Sequence, residues 1–425
     1  MQHNLIKPQI KQQNSMPSDT QLVTQSPVLH NQQQNIQRSH SSNDVQTNQL
    51  QSKLDEIIPY LYFNQSVAQK LEEVYIKIAE VINQELSEKY KNSYEIVLYG
   101  SAVTGLSLPY DSDLDIAILF EDLEINHIII LNQIRMKLIQ PYYLKRYDQI
   151  KILEMKSGVM LSLFDKINKM RIEIQVNKYC ELMNSQLIQT YAKIDSRFFQ
   201  LVLLLKKWNR NKFSNKVMRL NSYSFVLMAI ARMQFLGQLP YLQKHREQDK
   251  VIMNYQKCLV KDQKCIFNKI YSTNIAFESD LNVIAQNFQP SKNLSTGKHY
   301  TLAELLVDFY SYLIDLLGQI NTQVVQITYD TNEINNNFNR NLDLKQIKQI
   351  IEDKYNQQQQ NNDSYVQNNV LKNLESYSLM ILDPFDRTYN PAKSLFKRRD
   401  QEIKYLKELK QTLQNLQQQN IFDFK

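Results

Sequence analysis

The alternation of apolar and polar positions along the chain predicts where its regular elements lie. Over residues 66–86, apolar side chains recur at helical spacing, which predicts an amphipathic helix. Short runs rich in β-branched and aromatic residues predict strands at Tyr94–Tyr99, Leu114–Phe120, Ile150–Met155, Val159–Phe164 and Arg171–Val176. Longer periodic runs predict helices at Asn126–Ile139, Ser196–Trp208, Ser222–Leu236, Ala303–Leu317 and from Lys393 to about Gln419.

Two stretches lack this patterning. Residues 1–53 are rich in Gln, Asn and Ser, and they hold too few large apolar side chains to offset the entropy of ordering. We therefore predict a disordered N-terminal tail. A second low-complexity stretch, at about 330–373, predicts a loop insertion that carries a partial helix near Leu344–Tyr355.

The order of the remaining elements predicts an α+β protein with two lobes. Helix and strand patterns alternate over 67–178, which is typical of a small mixed-sheet domain. Strand patterns mostly end at Cys180, so 179–425, together with 54–66, is predicted to form a mainly helical domain. The length of 425 residues agrees, because domains typically hold ~100–200 residues.

Composition excludes several classes of protein. The six glycines form neither a G-x-G-x-x-G nor a Walker-type motif, which excludes a dinucleotide-binding fold and a P-loop. The three cysteines, without a C-x-x-C, argue against a disulfide framework or structural zinc and favour a reducing compartment. With no secretory signal and no apolar run of ~18 residues, we expect no membrane association and a cytoplasmic or nuclear location. The net charge of +7 suits a polyanionic partner.

The segment Leu98–Phe120 carries the clearest chemical pattern. Asp113 and Asp115 lie two residues apart at the start of a strand, so their carboxylates project from one face. A lone D-x-D pair more often marks a solvated loop or a helix cap. Here, however, a Gly-Ser pair precedes it, and Glu173 follows on a downstream strand. Hard divalent ions such as Mg²⁺ or Mn²⁺ bind carboxylates together with substrate phosphates, so this combination predicts a metal site.

The segment "YGSAVTGLSLPYDSDLDIAI" resembles the nucleotidyltransferase motif of the DNA polymerase β-like superfamily. Within it, the chain is most similar to the noncanonical poly(A)/poly(U) polymerases, also called terminal uridylyltransferases. The resemblance implies a nucleotidyltransferase domain joined to a helical poly(A)-polymerase-associated domain, with the nucleotide between them. It also implies that Asp113, Asp115 and Glu173 bind the metals and that Gly100 and Ser101 hold phosphates.

The resemblance continues into the helical region. Asn184 and Ser185 match the family segment that contacts the ribose of the nucleotide. Lys206 matches the lysine that reaches the triphosphate, and Arg210 falls where a second basic residue usually sits. A lysine in the middle of a helix usually lies on a solvated face, so the assignment of Lys206 depends on the resemblance.

Two later motifs imply the contacts to phosphate and base. Ser222 and Tyr223 match a phosphate-binding hydroxyl and an aromatic face for the base, although a tyrosine at such a position is more often part of the core. The segment "ILDPFDRTYNP" resembles the late nucleotide-recognition motif. In register, it places Asp383 and Asp386 near the base and Tyr389 at the base-selecting position.

Two residues depart from the family pattern. Glu173 stands where close relatives usually have Asp, and its extra methylene shifts the metal position. Tyr389 stands where uridylyltransferases commonly have His. The hydroxyl of this tyrosine can donate or accept one hydrogen bond to the base. We predict a preference for UTP, with ATP as the alternative.

The sequence therefore predicts template-independent addition of nucleoside monophosphates to an RNA 3′ end. No RNA-binding module is recognisable, so RNA would be held by electrostatics along the cleft or by a partner protein in an RNA-processing complex. One alternative is a catalytically weak scaffold or RNA-binding subunit with the same fold. Another is nucleotidylation of a small molecule, which the long helical lobe disfavours.

Overall fold

A computed structural model describes most of the chain. The residues described are 33–62, 65–91, 93–109, 113–155, 158–215, 219–243, 249, 251–261, 264–318, 323–325, 327, 379–386, 389–394, 399–421 and 424. The predicted insertion at about 330–373, with its partial helix, lies outside the described residues, as do the first 32 residues of the predicted tail.

The helices come from both predicted lobes. They are α1 (Gln33–Leu61), α2 (Gln65–Tyr90), α3 (Ser101–Thr104), α4 (His127–Leu138), α5 (Pro141–Leu144), α6 (Tyr179–Ile194), α7 (Ser196–Lys212), α8 (Ser222–Phe235), α9 (Leu281–Asn287), α10 (Leu302–Gly318) and α11 (Arg399–Gln417). Local chemistry explains some of their ends. The side chain of Asn126 accepts a hydrogen bond from the backbone N–H of Ile129 at 3.2 Å, which caps the start of α4. None of the helices in these ranges is long and apolar enough to cross a bilayer.

A five-stranded mixed sheet forms the first lobe. Its strands are β1 (Tyr94–Tyr99), β2 (Leu114–Phe120), β3 (Tyr147–Met155), β4 (Gly158–Asp165) and β5 (Met170–Val176), in the spatial order β1-β2-β5-β4-β3. Strands β2 and β5 pair in parallel, and the other pairs are antiparallel. The predicted α+β class with a small mixed sheet is confirmed.

The two faces of this sheet differ in chemistry. Ile116 and Ile118 of β2 and Ile172 and Ile174 of β5 are fully buried in one apolar cluster with residues of α2 and α4. Since successive strand residues alternate faces, the residues between them point away from that cluster. The opposite face therefore presents the acidic residues of both strands.

The second lobe is mainly helical and is built around Trp208. Its ring meets the rings of Phe213, Phe225, Tyr310 and Tyr405 at centroid distances of 5.3–6.4 Å. These rings come from α8, α10, α11 and the end of α7, so one buried side chain contacts much of the lobe. The indole N–H also donates a hydrogen bond to the Thr412 hydroxyl at 2.7 Å, which satisfies its only polar group.

The second lobe contains four strands that the sequence analysis did not predict. They are β6 (Ile252–Lys261) and β7 (Lys264–Asn274), which form an antiparallel hairpin, and β8 (Gln323–Val325) and β9 (Leu379–Ile381), which pair in parallel. The prediction that strands mostly end at Cys180 misses them. The connection between β6 and β7 lacks the Gly or Asn-Gly that marks tight hairpins, and β8 and β9 are short and distant in sequence.

Helix α1 also differs from the prediction. The predicted disordered tail is wrong for residues 33–53, because α1 begins at Gln33. Leu50, Leu54, Ile58 and Leu61 recur along one side of α1 and are buried in the core of the helical lobe. The Gln51 side chain accepts a hydrogen bond from the backbone N–H of Ala303 at 2.9 Å, at the first turn of α10. These few apolar residues anchor a segment whose average composition is polar.

Removing one anchor of α1 tests this contact. We expect Leu54→Ala to lower the free energy of unfolding by about 2–5 kcal/mol, because Leu54 is fully buried and its removal leaves a cavity. The matched control is Tyr60→Ala on the same helix, where the side chain is 81% exposed. Urea denaturation followed by circular dichroism measures both. Equal stability of the two variants would contradict the docking of α1.

Candidate active site

The parallel pairing of β2 and β5 brings two predicted acidic residues together. Asp115 and Glu173 are direct partners in the register, so they lie side by side on one face of the sheet. Asp113 precedes β2 by one residue, and 39% of its side chain is exposed. The three carboxyl groups predicted to bind metal are therefore neighbours at one place on the sheet.

The electrostatics of this cluster follow from its burial. The pKa of the Asp115 carboxyl is raised to about 8, first by burial and then by the nearby carboxylates of Glu173 and Asp113, while the ammonium of Lys206 opposes the shift. At neutral pH, Asp115 therefore needs additional positive charge to become fully ionised. A bound cation would supply that charge.

The carboxylates suit a divalent ion as a donor set, although they do not form a complete cage. Among the described residues, no three His, Cys, Asp or Glu side chains are gathered tightly enough to hold a metal ion. Mg²⁺ normally keeps several waters and takes one or two carboxylates together with substrate phosphates. The raised pKa of Asp115 and the hard oxygen donors fit such an ion.

Gly100 is the residue that lets the β1–β2 connection approach Asp115. Its backbone φ is 73°, and a Cβ at this position would lie 2.2 Å from Asp115 Oδ2. Only glycine therefore fits this contact. The backbone N–H of Gly100 donates to the Ser185 hydroxyl at 2.7 Å, and that hydroxyl donates to the carbonyl of Glu181 at 2.7 Å. The Ser101 hydroxyl accepts from Ser107 at 3.0 Å.

Lys206 reaches the acidic cluster from the other lobe. It lies on α7 and is 4% exposed, and its ammonium donates a hydrogen bond to the carbonyl of Leu106 in the loop after α3. Its positive charge lowers the pKa of the Asp115 carboxyl. Arg210 lies one turn further along α7 and is half-buried. Lys206 is therefore a buried residue rather than part of a solvated helix face.

A second cluster forms around Asp383. This buried carboxylate accepts hydrogen bonds from the side chains of Asn184 (3.1 Å) and Tyr223 (2.9 Å) and from the backbone N–H groups of Phe385 (2.9 Å) and Asp386 (2.7 Å). Burial and then the carboxylate of Asp386 raise the pKa of Asp383 to about 7, against the hydrogen bonds that it accepts. Residues predicted from three separate motifs thus meet at one carboxylate.

Tyr389 lies close to this second cluster. Its hydroxyl forms a hydrogen bond with the side chain of Asn221, and burial raises its pKa to about 12, so it carries its proton at neutral pH. Ser222 occupies the first turn of α8 beside Asn221. Asn390 is buried and binds the backbone of β9, since its side chain accepts from Ile381 N–H at 3.1 Å. Asn390 is therefore structural.

Several contacts near the site were not found from the sequence. The Tyr99 hydroxyl donates to Gln175 at 2.7 Å, close to the acidic pair. In the hairpin β6–β7, Tyr255 donates to Asp386 at 3.5 Å, and Thr273 donates to the carbonyl of Phe385 at 2.9 Å. Strand alternation could have identified Gln175, which lies two residues from an acidic strand position. No local signal links the hairpin to the distant recognition segment.

The part of the chain that holds the mixed sheet, its acidic pair and the Gly100 contact is matched by one family model. A family model described as the nucleotidyltransferase domain matches residues 79–180, which include all three predicted metal-binding carboxylates. The predicted resemblance to the nucleotidyltransferase superfamily is confirmed.

Part of the chain is also similar in sequence to a named RNA polymerase. The chain is 29% identical over 178 residues to the poly(A) RNA polymerase GLD2-A of Xenopus laevis, a match that covers 40% of this chain and 35% of that protein. The chain thus spans about a third of the length of the curated relative it matches. This relative is an RNA nucleotidyltransferase, as the sequence predicts.

Solved structures share the fold over most of the chain. A cytoplasmic RNA terminal U-transferase superposes with a TM-score of 0.60 and 17% identity, covering 87% of this chain and 94% of that one. The poly(U) polymerase Cid1 in complex with the UTP analogue UMPNPP superposes with a TM-score of 0.58 and 17% identity, covering 86% and 93%. The fold is therefore the two-lobed fold of these polymerases, and the predicted resemblance to noncanonical poly(A)/poly(U) polymerases is confirmed.

The contact between Gly100 and Asp115 predicts a specific loss of stability. We expect Gly100→Ala to lower the free energy of unfolding by about 3–5 kcal/mol, because a positive φ and a clash with the carboxylate add together. Gly297→Ala is the matched control, because its φ is 66° and nothing lies within 4 Å of the added Cβ. It should lose only about 1–3 kcal/mol. Urea denaturation measures both; similar losses would contradict the close approach to Asp115.

Proposed function

We propose that this protein adds nucleoside monophosphates to RNA 3′ ends without a template. The observation that carries the proposal is the register pairing of Asp115 with Glu173, opposite the buried Lys206 of the other lobe. The similarity to a poly(A) RNA polymerase and the fold shared with RNA uridylyltransferases support RNA as the acceptor. In the reaction, the 3′-hydroxyl oxygen bonds to the α-phosphorus of the nucleoside triphosphate and pyrophosphate leaves.

The carboxylates have separate roles in this proposal. Asp113 and Asp115 would hold two divalent ions, Mg²⁺ or Mn²⁺, and Glu173 would hold the one nearer the 3′-hydroxyl. Such ions favour deprotonation of the hydroxyl and offset the charge of the leaving pyrophosphate. The longer side chain of Glu173 reaches further from the strand than an aspartate would.

The phosphates would be bound mainly by residues of the loop after β1 and of α7. Lys206 and Arg210 offset the charge of the triphosphate, with the Ser222 hydroxyl assisting. Gly100 and Ser101 hold phosphate oxygens in the proposal. In the structure their polar groups already hydrogen-bond to Ser185 and Ser107, so nucleotide binding would exchange those partners.

The nucleoside would lie at the Asp383 cluster. Asn184 Oδ1 is buried and has no hydrogen-bond partner among the described residues, so it suits a ribose hydroxyl that donates a hydrogen bond. The Tyr223 ring would stack on the base, an interaction of about 1–3 kcal/mol that tolerates any base. Selection then depends on hydrogen bonds to the base edge, for which Asp386 and Tyr389 are the proposed residues.

We propose UTP as the preferred nucleotide and ATP as the second candidate. A protonated Tyr389 hydroxyl can donate a hydrogen bond to an acceptor such as a uracil carbonyl. ATP is retained because the curated relative is named a poly(A) RNA polymerase. The RNA itself would be held electrostatically or by a partner protein.

The direct test is extension of a labelled RNA with each nucleoside triphosphate separately, in Mg²⁺ or Mn²⁺. We expect extension by the wild type, strongest with UTP. Asp113→Ala/Asp115→Ala should reduce the rate by roughly 10³-fold or more, because removing metal ligands forfeits several kcal/mol of transition-state stabilisation. Denaturing gels measure the length of the RNA product, and circular dichroism verifies that the double variant is folded.

The same assay separates the alternatives. Equal extension by wild type and the double variant would favour a catalytically weak scaffold. Pyrophosphate release with small acceptors but without RNA would favour small-molecule nucleotidylation. If RNA is extended with ATP but not with UTP, ATP rather than UTP is the preferred nucleotide.

The base-selecting role of Tyr389 predicts a change in nucleotide preference. We expect Tyr389→His to raise the ratio of UTP to ATP incorporation at least about fivefold, since one edge hydrogen bond differs between the bases. Steady-state kcat/KM for each nucleotide measures the ratio. Asn390→Ala, at the structural neighbour, should lower stability without changing the ratio. If the ratio stays constant in Tyr389→His, Tyr389 has no part in base recognition.

A further inference from the structure

Arg171 lies within the acidic cluster, where neither the sequence motifs nor the proposed reaction assigns it a role. It precedes Glu173 by two residues on β5, so the two side chains share the face of the sheet that carries Asp115. Its Nε lies 3.9 Å from Asp113 Oδ1. Its Nη1 donates a hydrogen bond to the Ser162 hydroxyl at 3.3 Å. The guanidinium thus connects β4 to the carboxylate at the start of β2.

The register places four charged side chains in two adjacent pairs across β2 and β5. Leu114 pairs with Ile172 and Asp115 pairs with Glu173, so one step earlier Asp113 stands beside Arg171. One pair joins the carboxylates of Asp115 and Glu173, and the other joins the carboxylate of Asp113 to the guanidinium of Arg171. The Arg171 guanidinium therefore lies beside a carboxylate that would bind a divalent ion in the proposed function.

The pair between Arg171 and Asp113 is loose enough to exchange. Arg171 is 41% exposed and Asp113 is 39% exposed, and the 3.9 Å separation is longer than a direct hydrogen bond. An exposed ion pair of this kind changes the equilibrium constant of the process that forms or breaks it by about two- to fivefold. Ser162 is 2% exposed and anchors the arginine from the opposite side. Asp113 can therefore leave the pair while Arg171 keeps its second contact.

We propose that Arg171 is a positioning residue that holds Asp113 while no divalent ion is bound and releases it to the incoming ion. This inference rests on the proposed function, because it assumes that Asp113 is a metal ligand. The metal affinity of the enzyme without nucleotide is then set partly by competition between Arg171 and the ion.

The test is direct Mn²⁺ binding to the full chain, without nucleotide or RNA, followed by electron paramagnetic resonance of free Mn²⁺. Arg171→Gln should tighten Mn²⁺ binding about two- to fivefold, because the competing cation is gone. Arg171→Lys keeps the charge and should remain within about twofold of the wild type. Lys145→Gln, an exposed residue after α5, removes the same charge elsewhere and should have no effect. Circular dichroism verifies folding of each variant.

A double-mutant cycle isolates the contact from a general change in charge. In the Asp113→Asn background, Arg171→Gln should no longer tighten Mn²⁺ binding, because there is no carboxylate left to release. An unchanged affinity in Arg171→Gln alone, or equal tightening in both backgrounds, would overturn the role of Arg171 and leave the proposed function standing. A wild type that binds no Mn²⁺ would instead overturn the metal site on which both proposals rest.

Discussion

The parallel pairing of β2 with β5 is the interaction on which the whole site depends. Its register fixes Asp115 beside Glu173, and burial against the helical lobe makes that proximity unfavourable without a compensating cation. The sheet can maintain the arrangement because its other face is a continuous apolar core packed on α2 and α4. The stability of the sheet thus offsets the unfavourable proximity of the two acidic side chains, and in the proposed function a bound divalent ion would supply the compensating positive charge.

Helix α6 joins the two halves of the site. Ser185 on this helix binds the backbone of Gly100, beside the acidic pair, while the adjacent Asn184 binds Asp383 in the second cluster. Neighbouring residues on a helix point about 100° apart, so a single turn serves both clusters. The carboxylate of Glu181, one turn earlier, raises the pKa of both Tyr99 and Tyr223. In the proposed function, this one helix would therefore set the spacing between the reacting phosphate and the base.

The sequence predicted what is encoded locally. All five strands of the mixed sheet and the helices α2, α4, α7, α8, α10 and α11 follow from periodicity, and the G-S…D-x-D pattern located Asp113 and Asp115. Contacts that depend on long-range pairing were not predictable in this way. The polar composition of residues 33–53 hid the start of α1 and its anchor Leu50, and the hairpin β6–β7 lacks a turn signature. Arg171 was overlooked because its importance arises only from the register that places it beside Asp113.

The loop between the first two strands has a mechanical consequence. Leu106 and Leu108 belong to the catalytic segment, yet they are buried in the core of the helical lobe, and the carbonyl of Leu106 is held by Lys206. The two lobes are thus in direct contact close to the acidic cluster. In the proposed function, we therefore expect an opening of the lobes for nucleotide entry to widen the far side of the groove more than the end at which Lys206 contacts Leu106.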